Sequence, residues 1–121
     1  QLQDDILGVF GDEKKLGKSV LSDTAQGKQT LLVLHVLQKG SETQAARLKE
    51  LVGKKDITYS DLEVVKEIME DTGAHEYVRA TALKYSDKGV KVIDDQWPNE
   101  WNREEKIFFK TVASVAVNRE Y

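Results

Sequence analysis

Leu31-Leu32-Val33-Leu34-His35-Val36-Leu37 leaves this chain few ways to fold. The run begins after Thr30 and closes at Lys39-Gly40. A cation in the last turn with glycine just beyond is a helix stop signal. A helix that is apolar on every side belongs in an interior, with neighbours all round it. It is far too short to cross a bilayer, which takes about 20 apolar residues. The chain must therefore supply, or be given, other elements that cover a central helix.

The rest of the sequence offers helices for that purpose. Ser41 with Gln44 three residues later reads as a capping box for a helix with Ala45, Ala46, Leu48, Leu51 and Val52 on its apolar positions, stopping at Gly53. Ser60 with Glu63 reads as a second box, opening a helix with the stripe Leu62, Val65, Ile68 and Met69. Gly73 interrupts that helix, and a further periodic stretch runs through Val78, Ala82, Tyr85, Val92 and Ile93 to Trp97-Pro98. The residue before a proline is pushed out of helical geometry, so a break is predicted there. The 3.6 period resumes from Asn102 to Arg119. No period-2 alternation and no Asn-Gly hairpin turn occur, and the predicted class is an all-α helical bundle.

Composition removes several functions. With no cysteine in 121 residues there is no disulfide framework, no thiolate catalysis and no Cys-ligated zinc or iron–sulfur centre. A net charge of −3 gives no basic footprint for nucleic acid. No secretory leader or spanning segment is visible, so the cytoplasm is the expected compartment. The opening, Gln1-Leu2-Gln3-Asp4-Asp5-Ile6-Leu7, reads as the inside of a structured element, and the sequence is expected to be the C-terminal piece of something larger.

Residues 10–29 differ from the rest. They hold three glycines and little periodic apolar character, and a long charged connector of that kind is more often functional than neutral. Just before it, Asp4-Asp5 offers two carboxylates. Acid pairs usually sit on a solvated helix face. They also suit magnesium, which is held by one or two carboxylates plus phosphate oxygens and water. Lys18 and Lys28 each follow a glycine, where an ammonium can be presented to phosphate as a point charge; alone, each also fits a plain surface lysine. Neither pair makes a P-loop.

Taken together, Gln1, Asp4-Asp5, Phe10-Gly11-Asp12, Gly17-Lys18, Asp23, Gly27-Lys28 and Thr30 resemble the second aspartate-rich region of the polyprenyl (trans-isoprenyl) diphosphate synthases, including the geranylgeranyl type. Asp56-Ile57-Thr58, Glu70-Asp71-Thr72-Gly73-Ala74 and Glu76-Tyr77-Val78 are similar to that family's C-terminal helices. The resemblance implies the C-terminal part, residues 1–121, of an all-α isoprenoid-synthase fold. Within it, 1–9 would be the helix with the second Asp motif, 10–29 a diphosphate-binding loop region and 30–121 a helical bundle. It implies a magnesium-dependent prenyltransferase, usually a homodimer, that condenses an allylic diphosphate with isopentenyl diphosphate. By position, Asp4 and Asp5 would hold Mg2+, and Lys18, Lys28 and Gln1 would contact the substrate diphosphate.

Two departures qualify this. The family pattern is commonly Asp-Asp-x-x-Asp, and Gly8 stands at its last position, which removes a third carboxylate. The first aspartate-rich motif belongs to an N-terminal half that the sequence does not contain, so the 121 residues alone are expected to be inactive. Two other readings remain: a terpene-cyclase-like lyase of the same fold, and a non-catalytic all-α regulatory or interaction subunit. His35, in the apolar run, is expected to be a satisfied core histidine. Trp97 and Trp101 are expected to be packing anchors.

Overall fold

The computed structural model describes residues 1–17 and 19–119. Among them are eight α-helices and no strand: α1 (Leu2–Phe10), α2 (Glu13–Leu16), α3 (Val20–Ala25), α4 (Leu31–Lys39), α5 (Glu42–Leu51), α6 (Tyr59–Asp71), α7 (Ala74–Gln96) and α8 (Arg103–Val115). The all-α class is as the periodicity requires.

The core forms where α4, α5, α6 and the start of α7 converge. Leu32 and Val36 from α4, Leu48 from α5, Leu62, Val65 and Met69 from α6, and Val78 from α7 are all essentially inaccessible. Their spacings of three and four residues put each set on one helical face. Ile6 and Val9 of α1 and Val20 of α3 extend the same core.

Four readings are corrected by this packing. The α4 helix is one-sided: Leu32, Val33 and Val36 are buried, but Leu34 is 49% exposed. His35 is only half-buried, with Nε2 3.1 Å from the Thr72 carbonyl and its ring 4.5 Å from that of Tyr77. The α6 cap lies two residues earlier than the Ser60/Glu63 reading. Thr58 Oγ1 accepts from the Asp61 amide at 3.2 Å, and Asp61 Oδ2 accepts from the Thr58 amide at 3.0 Å. Asp61 is also held by Lys54 Nζ at 2.8 Å, chiefly through which its carboxyl falls to a pKa of about 2. The connector 10–29 is not simply a loop, since it folds into α2 and α3. The Ser41/Gln44 box, by contrast, forms as read.

Beyond Ala82 the helices leave the core. The 23-residue α7 buries only Ala74, Val78 and Ala82, and α8 buries nothing. These two are tied by Lys110 and Lys106 to Asp94, at 2.7 and 3.2 Å, and by Ser86 Oγ donating to the Ala113 carbonyl at 2.8 Å. At the Pro98 break, Trp97 packs edge-on against Trp101 at 5.1 Å and meets Phe109 at 5.8 Å.

Candidate functional site

The acid pair sits in the first turn of α1, three and four residues after Gln1, which stands at the N-cap position without a side-chain capping bond. Neighbouring positions on a helix diverge by about 100°, so Asp4 and Asp5 meet different partners. Asp5 Oδ1 accepts from Gln1 Nε2 at 2.8 Å. Asp4 Oδ1 lies 3.3 Å from an Arg119 guanidinium nitrogen, and Gln3 Nε2 donates to the Arg119 carbonyl at 2.6 Å. Residue 119 thus lies against the turn that carries the acids.

Asp5 faces a small cavity of about 30 Å³, shared with Gly8, Asp23, Lys28 and Thr30 and backed by Val65 and Met69. The cavity is about the size of one ordered water. Lys28 Nζ stands 3.8 Å from Asp23 Oδ1. The fold therefore brings Asp5 and Lys28, far apart in the chain, to one hollow. Asp4 is turned toward Arg119, and Lys18 lies outside the described residues.

Two glycine features shape this hollow. A Cβ built on Gly8 would stand 2.7 Å from Asp23 Oδ2, so the Asp23 carboxylate occupies the place where a side chain at position 8 would begin. Asp23 belonged to the sequence pattern without a role. The signal that could have found it is an acid on the neighbouring helix together with the missing third acid. The second feature is a backbone-to-backbone approach. A Cβ on Gly27 would meet Gly53 Cα at 3.1 Å, and the Gly53 amide donates to the Thr24 carbonyl at 3.0 Å. Both glycines have positive φ, 67° and 91°, which side-chain-bearing residues rarely adopt. The turn delivering Lys28 is set by this contact.

Among the described residues, no three His, Asp or Glu side chains converge into a ready-made metal cage. Magnesium does not need one, because phosphate oxygens and waters complete its octahedron around one or two carboxylates. Asp4 and Asp5 are oxygen donors of the right kind, and Asp5 already faces a cation-lined hollow. The residues fit that ion. Among the described residues no helix is long and apolar enough to cross a membrane.

Residues 1–72 match the polyprenyl synthetase family. The chain is 40% identical over 91 residues to the geranylgeranyl diphosphate synthase of Saccharolobus solfataricus, an alignment covering 75% of this chain and 27% of that protein. It is 32% identical over 120 residues to the octaprenyl diphosphate synthase of Escherichia coli, covering 99% of this chain and 36% of that one. The crystal structure of geranylgeranyl pyrophosphate synthase from Corynebacterium glutamicum, complexed with isoprenyl diphosphate and magnesium, superposes with a TM-score of 0.87 at 31% identity. That match covers 99% of this chain and 33% of that one. The chain thus spans roughly a quarter to a third of the length of these relatives.

Proposed function

The chain belongs to the polyprenyl synthetase family, and from that membership we propose that it carries the second metal-and-diphosphate motif of a chain-elongating prenyltransferase. The reaction breaks the allylic carbon–oxygen bond of one substrate, joins the allylic carbon to isopentenyl diphosphate, and releases a proton and inorganic diphosphate. Asp4 and Asp5 are assigned to magnesium, and Lys18, Lys28 and Gln1 to the diphosphate. The observation that carries the reading is the convergence of Asp5 and Lys28 on one small hollow.

Bound magnesium supplies Lewis-acid neutralisation of the leaving diphosphate. The Lys28 ammonium adds a fixed positive charge beside that group, where negative charge develops as the bond breaks. Gln1 orients the Asp5 carboxylate by donating to one of its oxygens. Val65 and Met69 back the hollow with apolar surface and limit water there.

Activity is assigned to a longer, cytoplasmic, homodimeric protein in which a first aspartate-rich motif faces this one, and the 121 residues alone are assigned no turnover. The relatives' names, all isoprenyl diphosphate synthases, favour elongation over a cyclase or a non-catalytic subunit. Calorimetric titration of the chain with inorganic pyrophosphate, with and without magnesium, tests the site. Binding is expected only with magnesium, and Lys28→Ala is expected to weaken it about tenfold, the worth of one charge-assisted contact of about 1.4 kcal/mol. Pyrophosphate binding that ignores both magnesium and Lys28→Ala refutes the assignment.

A further inference from the structure

The turn that presents Lys28 is braced from outside its own segment. The Thr24 carbonyl, near the end of α3, accepts two backbone amides: that of Gly27 at 3.1 Å and that of Gly53 at 3.0 Å. Thr24 is itself fixed, since it is buried and its hydroxyl donates to the Val20 carbonyl at 3.2 Å. Beyond Lys28, Thr30 caps α4 by accepting from the Val33 amide at 3.4 Å. Lys28 lies between these two fixed points, and its side chain is 52% exposed. Burial therefore does little to direct its ammonium toward the hollow it shares with Asp5. Its direction follows from the backbone at Gly27, and Gly53 is the residue pressed against that backbone. Gly53 is held on both sides in turn. The Val52 amide donates to the Leu48 carbonyl at 2.9 Å, and Val52 lines the same hollow. On the other side, Lys54 Nζ reaches Asp61, in the cap of α6, at 2.8 Å.

We propose that Gly53, in the turn from α5 to α6, is a positioning residue for Lys28, holding the backbone that carries it against the end of α3. The proposal rests on the reading of Lys28 as a diphosphate ligand. Space is not what requires glycine at 53, because a Cβ there would stand 3.5 Å from Gly27 Cα, an ordinary contact. The backbone conformation requires it. At φ 91° a side-chain-bearing residue is strained, and relief of that strain swings the amide of residue 53 off the Thr24 carbonyl. Gly27 then loses the backbone it packs against, and the Thr24 carbonyl loses one of its two donors. The Lys28 ammonium samples more positions, and the entropy of ordering it opposes ligand binding.

Two measurements on the whole chain test this, with Gly73→Ala as the matched control. Gly73 also has positive φ, 70°, so its substitution carries the same kind of strain, but it lies between α6 and α7 and does not line the hollow. Amide hydrogen exchange reads the brace without ligand. Gly53→Ala is expected to speed exchange at Gly27 and at residue 53 about tenfold, the worth of one lost hydrogen bond, beyond any change that Gly73→Ala produces there. Titration with magnesium and inorganic pyrophosphate reads the positioning. Gly53→Ala is expected to weaken binding by about as much as Lys28→Ala does, and the double variant to be no weaker than Lys28→Ala alone. Gly73→Ala is expected to bind like wild type. Gly53→Asn, which takes positive φ more readily than alanine, is expected to restore part of the exchange protection and of the affinity. Unchanged exchange at Gly27 and residue 53 in Gly53→Ala overturns the proposal. So does a Gly53→Ala chain that binds like wild type where Lys28→Ala does not, an equal loss of affinity in Gly73→Ala, or single losses that multiply in the double variant. Wild-type binding by Lys28→Ala is a separate failure: it removes the ligand role of Lys28, and the positioning role falls with it.

Discussion

Residues 1–82 and residues 83–119 are built from similar helices and reach different ends. In the first stretch, apolar positions at helical spacing are buried: Leu62, Val65 and Met69 of α6 are 1%, 0% and 1% exposed. In the second, the same kind of spacing yields Ile107, Phe108, Val112 and Val115 of α8 at 55%, 62%, 48% and 55%. Periodicity tells which side chains share a face, and only the presence of a facing element decides whether that face is dry. The candidate site lies wholly in the first stretch, apart from the contact of Arg119 with α1.

The largest difference should come from truncating one residue in each region. Leu62→Ala is expected to cost about 2–5 kcal/mol in denaturant unfolding, as loss of a fully buried leucine does. Phe108→Ala should change the same measurement by less than about 0.5 kcal/mol. Equal losses would show that α8 has a buried face after all. Next come two glycines with opposite signs. Gly53→Ala places a side chain at positive φ and against Gly27, and should destabilise by about 1–2 kcal/mol. Gly89→Ala fills open space inside α7 and should stabilise by up to about 1 kcal/mol. Melting curves of the pair check both signs.

Smaller effects follow from charge. Asp94→Ala releases Lys106 and Lys110, and hydrogen exchange should rise in α8 while α4 to α6 are unchanged. Faster exchange across the core as well would mean that the two regions unfold together. Finally, Asp61 has its pKa depressed to about 2, with Lys54 as the largest cause. A depressed acid stabilises the fold above its unfolded value, near 4, and that contribution fades as pH falls from about 4 to about 2. The denaturant unfolding midpoint of Asp61→Asn, measured at several pH values, should therefore fall less across that window than that of the wild type.

The comparison also marks what was legible in advance. Helices α4 to α8 could be read because each is long enough to show a period. The helices α2 and α3, with four and six residues, are too short for one. The α6 start was misplaced because Thr58…Asp61 and Ser60…Glu63 both fit a cap, and what settles the choice is Lys54, reaching Asp61 from the preceding turn. The exposure of Leu34 depends on which neighbours α4 has, and the run itself carries no record of that. At the candidate site, Asp4-Asp5 and the Gly-Lys pairs were visible as residues. Their arrangement was not: Asp5 facing Lys28, Asp4 turned toward Arg119, and Asp23 lodged against Gly8 all depend on how α1, α3 and the chain end pack.

That last contact joins two positions fifteen apart: a Cβ at position 8 would stand 2.7 Å from the tip of the Asp23 carboxylate, which must turn aside to admit it. An acid introduced at position 8 collides with the one at position 23, so Gly8→Asp alone must displace a neighbour. Paired with Asp23→Gly, the same change moves the charge from α3 to α1 and leaves the total untouched. A substitution at position 8 is therefore read together with the side chain at position 23 that must make way for it.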